Sequence, residues 1–439
     1  MAISDIQIEK FKNRSATIGL IGLGYAGLPL ALTFAESGFD TIGFDIDLGK
    51  IAALSRGHSY IGHLSSERFQ RLIRDGQFRP TSEFAELANC DMAIICVPTP
   101  LGQGRSPDLS HVISTTKTVK RYLHTGQLVV LESTTYPGTT DELLLRVLAE
   151  SGLRVGHEFF LAFSPEREDP ANREFDTRTI PKVVGGVTTE CLRVATTAYQ
   201  QVIRKIVPVS SARVAESTKL LENIYRCVNI AMINELKMLL ERMEIDVWEV
   251  IEAASTKPFG FSVFYPGPGL GGHCIPVDPF YLSWKAREYD FPARFIELAG
   301  EINAAMPEHV VVRLSDALNL AGKALRDAEI LLIGVAYKRD TDDVRESPAL
   351  TIIRLLERRL AHVSYHDPLV RVLRSRYLGR TMESVSLTPE CVRSCDATII
   401  ITDHSGIDYR MVLDNAPVVV DTRNVTRNYR QPGHNVVLA

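Results

Sequence analysis

The chain reads as an α/β protein in which two Rossmann-like, doubly wound sheets are joined by a long central helix. Three observations predict this. Gly22, Gly24 and Gly27 form a Gly-x-Gly-x-x-Gly turn that follows a short apolar strand and opens a helical pattern. Residues 211–244 keep a helical pattern with no Gly or Pro. A second alternation of strand and helix patterns fills residues 328–423. With 439 residues the chain has room for two or three domains of ~100–200 residues. The expected division is a nucleotide-binding domain at 1–210, a central helical and dimerisation region at 211–320, and a second Rossmann-like domain at 321–439.

Composition narrows the class. Hydrophobic residues make up 45% and charged residues 23%, ordinary for a globular protein. The formal charge is −4 and no Lys/Arg-rich run occurs, so no nucleic-acid partner is expected. The first residues are polar, and no stretch of 18 apolar residues exists, so neither a leader nor a membrane span is expected. Seven cysteines, at 90, 96, 191, 227, 274, 391 and 395, lack metal-ligand spacing. The expectation is no metal, unbridged thiols and a reducing cytoplasm.

In chain order, residues 17–21 form a strand that runs into Gly22-Leu23-Gly24-Tyr25-Ala26-Gly27, and 28–37 form a helix. The glycines suit a tight turn and close approach of a pyrophosphate to the backbone. A second strand, 40–44, ends at Asp45. An acid there binds a ribose hydroxyl and repels a 2′-phosphate, so NAD is the expected cofactor. Strands follow at 91–97, 128–131, 159–163, 182–185 and 206–209, with a helix at 108–123. Ligands of such sheets bind beyond the carboxyl ends of the strands, where Thr99, Thr134 and Glu166 fall. Each of the three also suits a plain helix cap or turn. On the long helix Lys219 and Asn223 are i and i+4 and share a face, with Asn234 three turns further along. A helical run at 292–320 comes next. The last unit has strands at 328–335, 362–366, 397–402 and 417–421 and a helix at 347–361. Lys338, Arg345 and Arg423 bring positive charge to its strand ends, suitable for a diphosphate; salt bridges to Asp340, Asp342, Asp343 and Glu346 are the alternative.

The stretch 265–282, YPGPGLGGHCIPVDPFYL, is the densest chemical signal. Six of the residues before Cys274 are Gly or Pro, so a shaped loop is expected rather than a helix or central strand. A thiol on a glycine-lined loop with Asp278 close behind suits a nucleophile that forms a covalent intermediate.

Taken together, GLGYAGLPLA from Gly22, VPTP at 97–100, EST at 132–134, SPE at 164–166, KLLEN at 219–223, GPGLGGHCIPVDP at 267–279, AYKRDTDDVRES at 336–347 and DTRN at 421–424 resemble the UDP-sugar 6-dehydrogenases of the UDP-glucose/UDP-N-acetylmannosamine type, over nearly the whole chain. The resemblance implies four-electron oxidation of a C6 alcohol to a carboxylate with two NAD⁺. It implies Cys274 as nucleophile, Lys219 and Asn223 as oxyanion partners, Asp278 and Glu166 as base and water-positioning groups, and Thr134 as a water-orienting group. Gly22, Gly24, Tyr25, Ala26, Gly27, Asp45, Thr99, Thr134 and Arg345 are implied at the cofactor. Glu166, Arg167, Lys219, Asn223, Gly271, Lys338 and Arg423 are implied at the UDP-sugar, with Lys257 supplied by a neighbouring subunit of a homodimer or larger homo-oligomer.

SPERED and GGHCIPVDPFYL are most similar to the branch that oxidises UDP-N-acetylglucosamine. The UDP-glucose branch has Phe-Leu where this chain has Arg167-Glu168, and Lys where it has Val277. UDP-N-acetylmannosamine, UDP-N-acetylgalactosamine and UDP-glucose remain alternative substrates. A two-electron 3-hydroxyacid dehydrogenase and a non-catalytic NAD or UDP-sugar binding protein are the alternative functions.

Overall fold

The computed structural model describes residues 1–61, 64–168, 174–272, 274–375 and 377–439. Asp169 of SPERED and His273 of the cysteine loop lie outside the described residues. The chain forms two compact units.

The first unit comprises Met1–Glu222 and Phe280–Pro292. Its elements, together with the long helix that leaves it, are α1 (Ile3–Lys12), β1 (Thr17–Ile21), α2 (Gly27–Glu36), β2 (Asp40–Phe44), α3 (Leu48–Ser55), α4 (Ser66–Arg74), β3 (Phe78–Thr81), β4 (Met92–Ile95), α5 (Ser110–Tyr122), β5 (Leu128–Leu131), α6 (Leu145–Ala149), β6 (Phe160–Phe163), β7 (Lys182–Gly186), α7 (Thr189–Gln200), β8 (Ile206–Val209) and α8 (Ala212–Arg242). The eight strands form one sheet in the order β3-β2-β1-β4-β5-β6-β7-β8. Only β7 runs antiparallel to its neighbour β6. β4, β5 and β6 are buried on both faces, as strands covered by helices on either side must be. The first six strands follow the dinucleotide-binding order, in which the chain reverses direction beside β1 and leaves a crevice at the carboxyl ends of β1 and β4.

The second unit comprises Asn223–Pro279 and Ala293–Ala439. The chain continues as α9 (Val247–Ser255), then α10 (Asp278–Ala286), most of which belongs to the first unit, and α11 (Arg294–Leu320). It then forms β9 (Glu329–Ile333), α12 (Pro348–Arg358), β10 (His362–His366), β11 (Val372–Arg374), β12 (Thr381–Glu383), α13 (Pro389–Ser394), β13 (Ala397–Ile400), α14 (Tyr409–Asn415), β14 (Val419–Asp421) and β15 (Val436–Leu438). A five-stranded parallel sheet runs β10-β9-β13-β14-β15, and β11-β12 is a separate antiparallel ribbon.

Both expected sheets and the long helix are present. The loop expected over 265–282 is shorter than predicted, because its last five residues begin α10. Pro279 falls in the first turn of that helix, where its missing N–H removes no hydrogen bond.

The start of α8 is docked to the first sheet by a fully buried carboxylate, Glu216. Its Oε2 accepts the Gly138 N–H at 2.7 Å, and its Oε1 accepts the Thr140 N–H at 2.9 Å and the Thr140 hydroxyl at 2.7 Å. Gly138 has φ 102°, a left-handed turn that presents these amides together. Burial pushes the Glu216 carboxyl up from an ordinary value of 4.5 to about 7, against the pull of these donors. The folded state therefore holds this proton longer than the unfolded chain does. The group's stabilising contribution is full below about pH 4.5 and is lost as pH rises through about 7. Glu216→Ala is expected to cost about 3 kcal/mol, since three buried donors lose their acceptor. Glu216→Gln lacks the titration, so its gap in Tm from the unmodified protein should narrow between about pH 5 and pH 8 in thermal melts. A gap that widens over that range contradicts the raised carboxyl.

Candidate active site

The β1–α2 turn is built for a close anionic ligand. A Cβ at Gly22 would lie 2.3 Å from the Cys96 carbonyl, and one at Gly27 would lie 2.0 Å from the Gly22 carbonyl. Those two glycines are required by the protein's own packing. A Cβ at Gly24 meets nothing within 4 Å. Among the described residues the space beside it is open, which fits a ligand that approaches the backbone there. The first turn of α2 carries no acid that would compete for its N-terminal amides. Asp45 accepts the Leu23 N–H at 3.0 Å and the Asp47 N–H at 2.9 Å, and pairs with Lys50 at 3.1 Å. It thus ties the end of β2 to the glycine turn. Ala26 precedes α2 and lines a cavity with Glu132, Glu166, Glu168 and Lys182. Thr99 is buried, and its carbonyl accepts the Tyr281 hydroxyl at 2.9 Å. These residues fit a dinucleotide.

Beyond β6 the SPE segment is pinned at several points. The Ser164 hydroxyl donates to the Val183 carbonyl at 2.8 Å. The buried ammonium of Lys219 donates to the Glu166 carbonyl at 2.6 Å and lies 3.4 Å from its carboxylate. Arg167, expected at the substrate, grips Glu222 of α8 at 2.6 and 3.2 Å and the Pro181 carbonyl at 2.5 Å. Glu168 accepts the Thr177 hydroxyl, and its own N–H donates to Glu166. Burial pushes the Glu168 carboxyl up to about 7. Thr134 sits in the segment leaving the carboxyl end of β5, partly exposed.

Sequence reasoning gave no role to Glu132 or Glu222 and read Glu168 only as a mark of the substrate branch. Glu132 is buried, paired with Lys182 at 2.9 Å and bonded by the Tyr199 hydroxyl. Glu222 and Glu168 fix Arg167 and Glu166. An acid directly after the all-apolar strand β5 was the readable sign of Glu132.

In the second unit, the Cys274 carbonyl accepts the N–H groups of Val277 at 3.1 Å and Asp278 at 2.7 Å. The thiol residue is therefore held one turn ahead of α10. It is partly exposed and forms no disulfide. Asp278 is almost wholly buried and accepts the Asn223 amide at 2.5 Å. Asp278 thus links the backbone of Cys274 to the side chain of Asn223. Gly271 packs against Tyr337, where a Cβ would lie 2.6 Å away, and the Gly272 N–H donates to the Arg345 carbonyl at 3.0 Å. The Arg345 guanidinium takes both carboxylate oxygens of Asp343, Nη2 to Oδ2 at 2.6 Å and Nε to Oδ1 at 3.0 Å. Arg423 donates to the Ile401 carbonyl at 3.0 Å. Lys338 is partly exposed in the segment after β9. Lys257 is exposed, with its ammonium 5.2 Å from the centre of the Phe259 ring.

Comparison with known proteins accounts for all three parts of the chain. Residues 16–203 match the NAD binding domain of the UDP-glucose/GDP-mannose dehydrogenase family, 213–305 its central domain and 331–428 its UDP binding domain. A UDP-N-acetyl-D-mannosamine dehydrogenase of Pyrococcus horikoshii is 34% identical over 93% of this chain and 96% of its own. A UDP-N-acetyl-D-glucosamine 6-dehydrogenase of Pseudomonas aeruginosa is 36% identical over 80% of this chain and 83% of its own. The solved structure of a UDP-D-ManNAc dehydrogenase from Pyrococcus horikoshii superposes with a TM-score of 0.87 at 32% identity, covering 96% of this chain and 98% of that one. The glycine turn, the cysteine loop and three consecutive domain matches have one common explanation: the chain belongs to the UDP-glucose/GDP-mannose dehydrogenase family and is an NAD-dependent UDP-sugar dehydrogenase.

Proposed function

We propose that the protein oxidises C6 of a UDP-N-acetylhexosamine, with UDP-N-acetylglucosamine as the first choice, to the uronic acid through a thioester on Cys274. The observation that carries this reading is the buried Asn223–Asp278 hydrogen bond one turn from the thiol residue. A carboxylate and an amide held that close to a cysteine suit proton movement and oxyanion support at a carbon bonded to sulfur. NAD⁺, when bound, supplies the hydride acceptor for both oxidations. Asp278 or Glu166 takes the proton of the C6 hydroxyl. The Cys274 sulfur bonds to the aldehyde carbon, and its proton passes to the same carboxylates. Lys219 and the second N–H of Asn223 support the oxyanion. Once the carbon is a thioester, a water oriented by Thr134 attacks it, the C–S bond breaks, and the thiol takes back a proton.

The preference for an acetamido sugar rests on Arg167-Glu168 and Val277 and on the names of the two relatives, one for the gluco and one for the manno sugar. The C-terminal domain holds the UDP group, with Arg423 and Lys338 at the diphosphate, and Lys257 reaches the substrate of a second copy. α8 exposes Leu221, Tyr225, Met232, Leu236 and Leu239 at helical spacing. An apolar stripe of this length suits the same stripe on a second copy, giving a homodimer.

In a panel of UDP-hexoses and UDP-N-acetylhexosamines, UDP-N-acetylglucosamine is expected to give the highest kcat/KM, with two NADH per sugar; one NADH per sugar sinks the four-electron reading. Cys274→Ser is expected to make no uronic acid beyond about 0.1% of the normal rate, read by mass spectrometry of the product. Acid formed at near-normal rate rejects the thioester. Asp45→Ala should weaken NAD⁺ binding about tenfold, as loss of a charge-assisted hydrogen bond to the ribose; unchanged affinity in calorimetry removes Asp45 from the cofactor site. Leu236→Lys should shift the mass in light scattering from dimer toward monomer, and an unchanged mass places the interface elsewhere.

A further inference from the structure

α8 and α11 are joined inside the second unit by two buried amides that the chemistry above does not use. Asn234 is fully buried and Asn303 nearly so. The Asn234 Nδ2 donates to Asn303 Oδ1 at 2.9 Å, and the Asn303 Nδ2 donates to the Cys227 carbonyl at 3.1 Å. At the other end, the Asn234 Oδ1 accepts the Gly267 N–H at 3.0 Å. The two ends fix the orientation of the chain. A backbone N–H only donates and a backbone carbonyl only accepts, so neither amide can flip without leaving a buried group unpaired. The row of bonds therefore runs one way, from Gly267 through Asn234 and Asn303 to Cys227.

Gly267 opens the cysteine loop, and a Cβ there would lie 2.6 Å from the Arg423 Nη1. Gly269, at φ +127°, lies against the Asn303 carbonyl and the Pro307 ring, each 3.4 Å from its would-be Cβ. Pro307 has no N–H to offer that carbonyl, so α11 locally opens its own ladder where the loop packs. The loop is thus seated on α11 and on Arg423 at glycine positions, with Leu270 and Ile275 packed against Cys227, Ala231 and Ala299. The Asn234 side chain is the polar anchor at its entrance.

We propose that Asn234 is a positioning residue that sets the cysteine loop and the Arg423 guanidinium by holding the Gly267 amide, with Asn303 orienting it from behind. The proposal rests on the reading of Cys274 as nucleophile and of Arg423 as a UDP contact.

Three measurements on the full-length protein test it: kcat with KM, the iodoacetamide alkylation rate of Cys274 by peptide mass spectrometry, and calorimetric affinity for UDP. Asn234→Leu is expected to lower kcat at least tenfold, to change Cys274 alkylation more than fivefold and to weaken UDP about fivefold. NAD⁺ affinity should stay within twofold. Asn234→Asp is the discriminating variant, and it keeps the proposal testable if the leucine variant does not fold. A buried aspartic acid that keeps its proton accepts from Gly267 and donates to Asn303, reproducing the amide; once ionised it cannot donate. The aspartate variant should therefore approach the unmodified kcat and alkylation rate near pH 6 and fall away as pH rises. Normal kcat and alkylation in Asn234→Leu overturn the proposal. So does an aspartate variant that remains at least tenfold down near pH 6, or NAD⁺ affinity falling in step with kcat. Should Cys274→Ser retain full turnover, the thioester reading fails instead, while alkylation and UDP affinity still report on the loop.

Discussion

A helix carries functional side chains in fixed register only while its hydrogen-bond ladder is unbroken, and α8 is 31 residues without an interruption. Everything assigned to it follows from that repeat. Glu216, Lys219 and Asn223 are one turn apart in succession, and Glu222 sits beside Asn223. Glu216 fixes the turn at Gly138–Thr140, Lys219 holds the Glu166 carbonyl, and Glu222 takes Arg167. Asn223 takes Asp278, and three turns on Asn234 takes Gly267. A Pro or Gly within the helix would cost roughly 1–3 kcal/mol of helix stability and, more seriously, would break this common register.

Buried charge is tolerated here because it is saturated. An isolated ion in a dry interior costs several kcal/mol, and removing one partner of a buried pair costs about 3–5 kcal/mol. Glu132 is satisfied by Lys182 and Tyr199, whereas Glu216, with neutral donors only, holds its proton up to about pH 7. Arg167–Glu222 differs, being a partly exposed pair of the kind worth about 0–1 kcal/mol in stability. Its effect is geometric: together with the Pro181 contact it fastens the residue after Glu166 to the helix that bears Lys219.

Much of the fold was legible because its signals are local. The strand, turn and helix around Gly22 and the acid at the end of β2 lie within a short stretch, and apolar strands bounded by turn residues mark β4, β5, β9 and β13. The trio of Cys274, Asp278 and Asn223 was legible only in part. Spacing placed the thiol and the acid on one loop, whereas the pairing of Asp278 with a helix far away in sequence depends on tertiary packing. The extent of α10 was misjudged because proline density was read as loop, although a first helical turn accepts proline. Glu132, Glu222 and Asn234 gave no sign of their partners, since a polar residue on a helix or strand end looks the same whether water or a buried donor satisfies it.

The two sheets differ in how far the protein itself occupies the matching carboxylate. Asp45 and Asp367 occupy the same place, directly after the second strand of their sheets, and each accepts backbone N–H groups from the turn after the first strand. A carboxylate offers about four acceptor positions. Among the described residues Asp45 accepts from three, Leu23, Asp47 and Lys50. Asp367 receives Val335, Ala336, Leu369, Val370 and the fully buried His404 ring, which fills it. The second sheet therefore has an acid filled by its own turn and by His404, and the nucleotide recognition proposed for it falls to cations. Arg423 and Lys338, the residues proposed at the diphosphate, stand at the ends and exits of β14 and β9, where a cation can form charge-assisted hydrogen bonds.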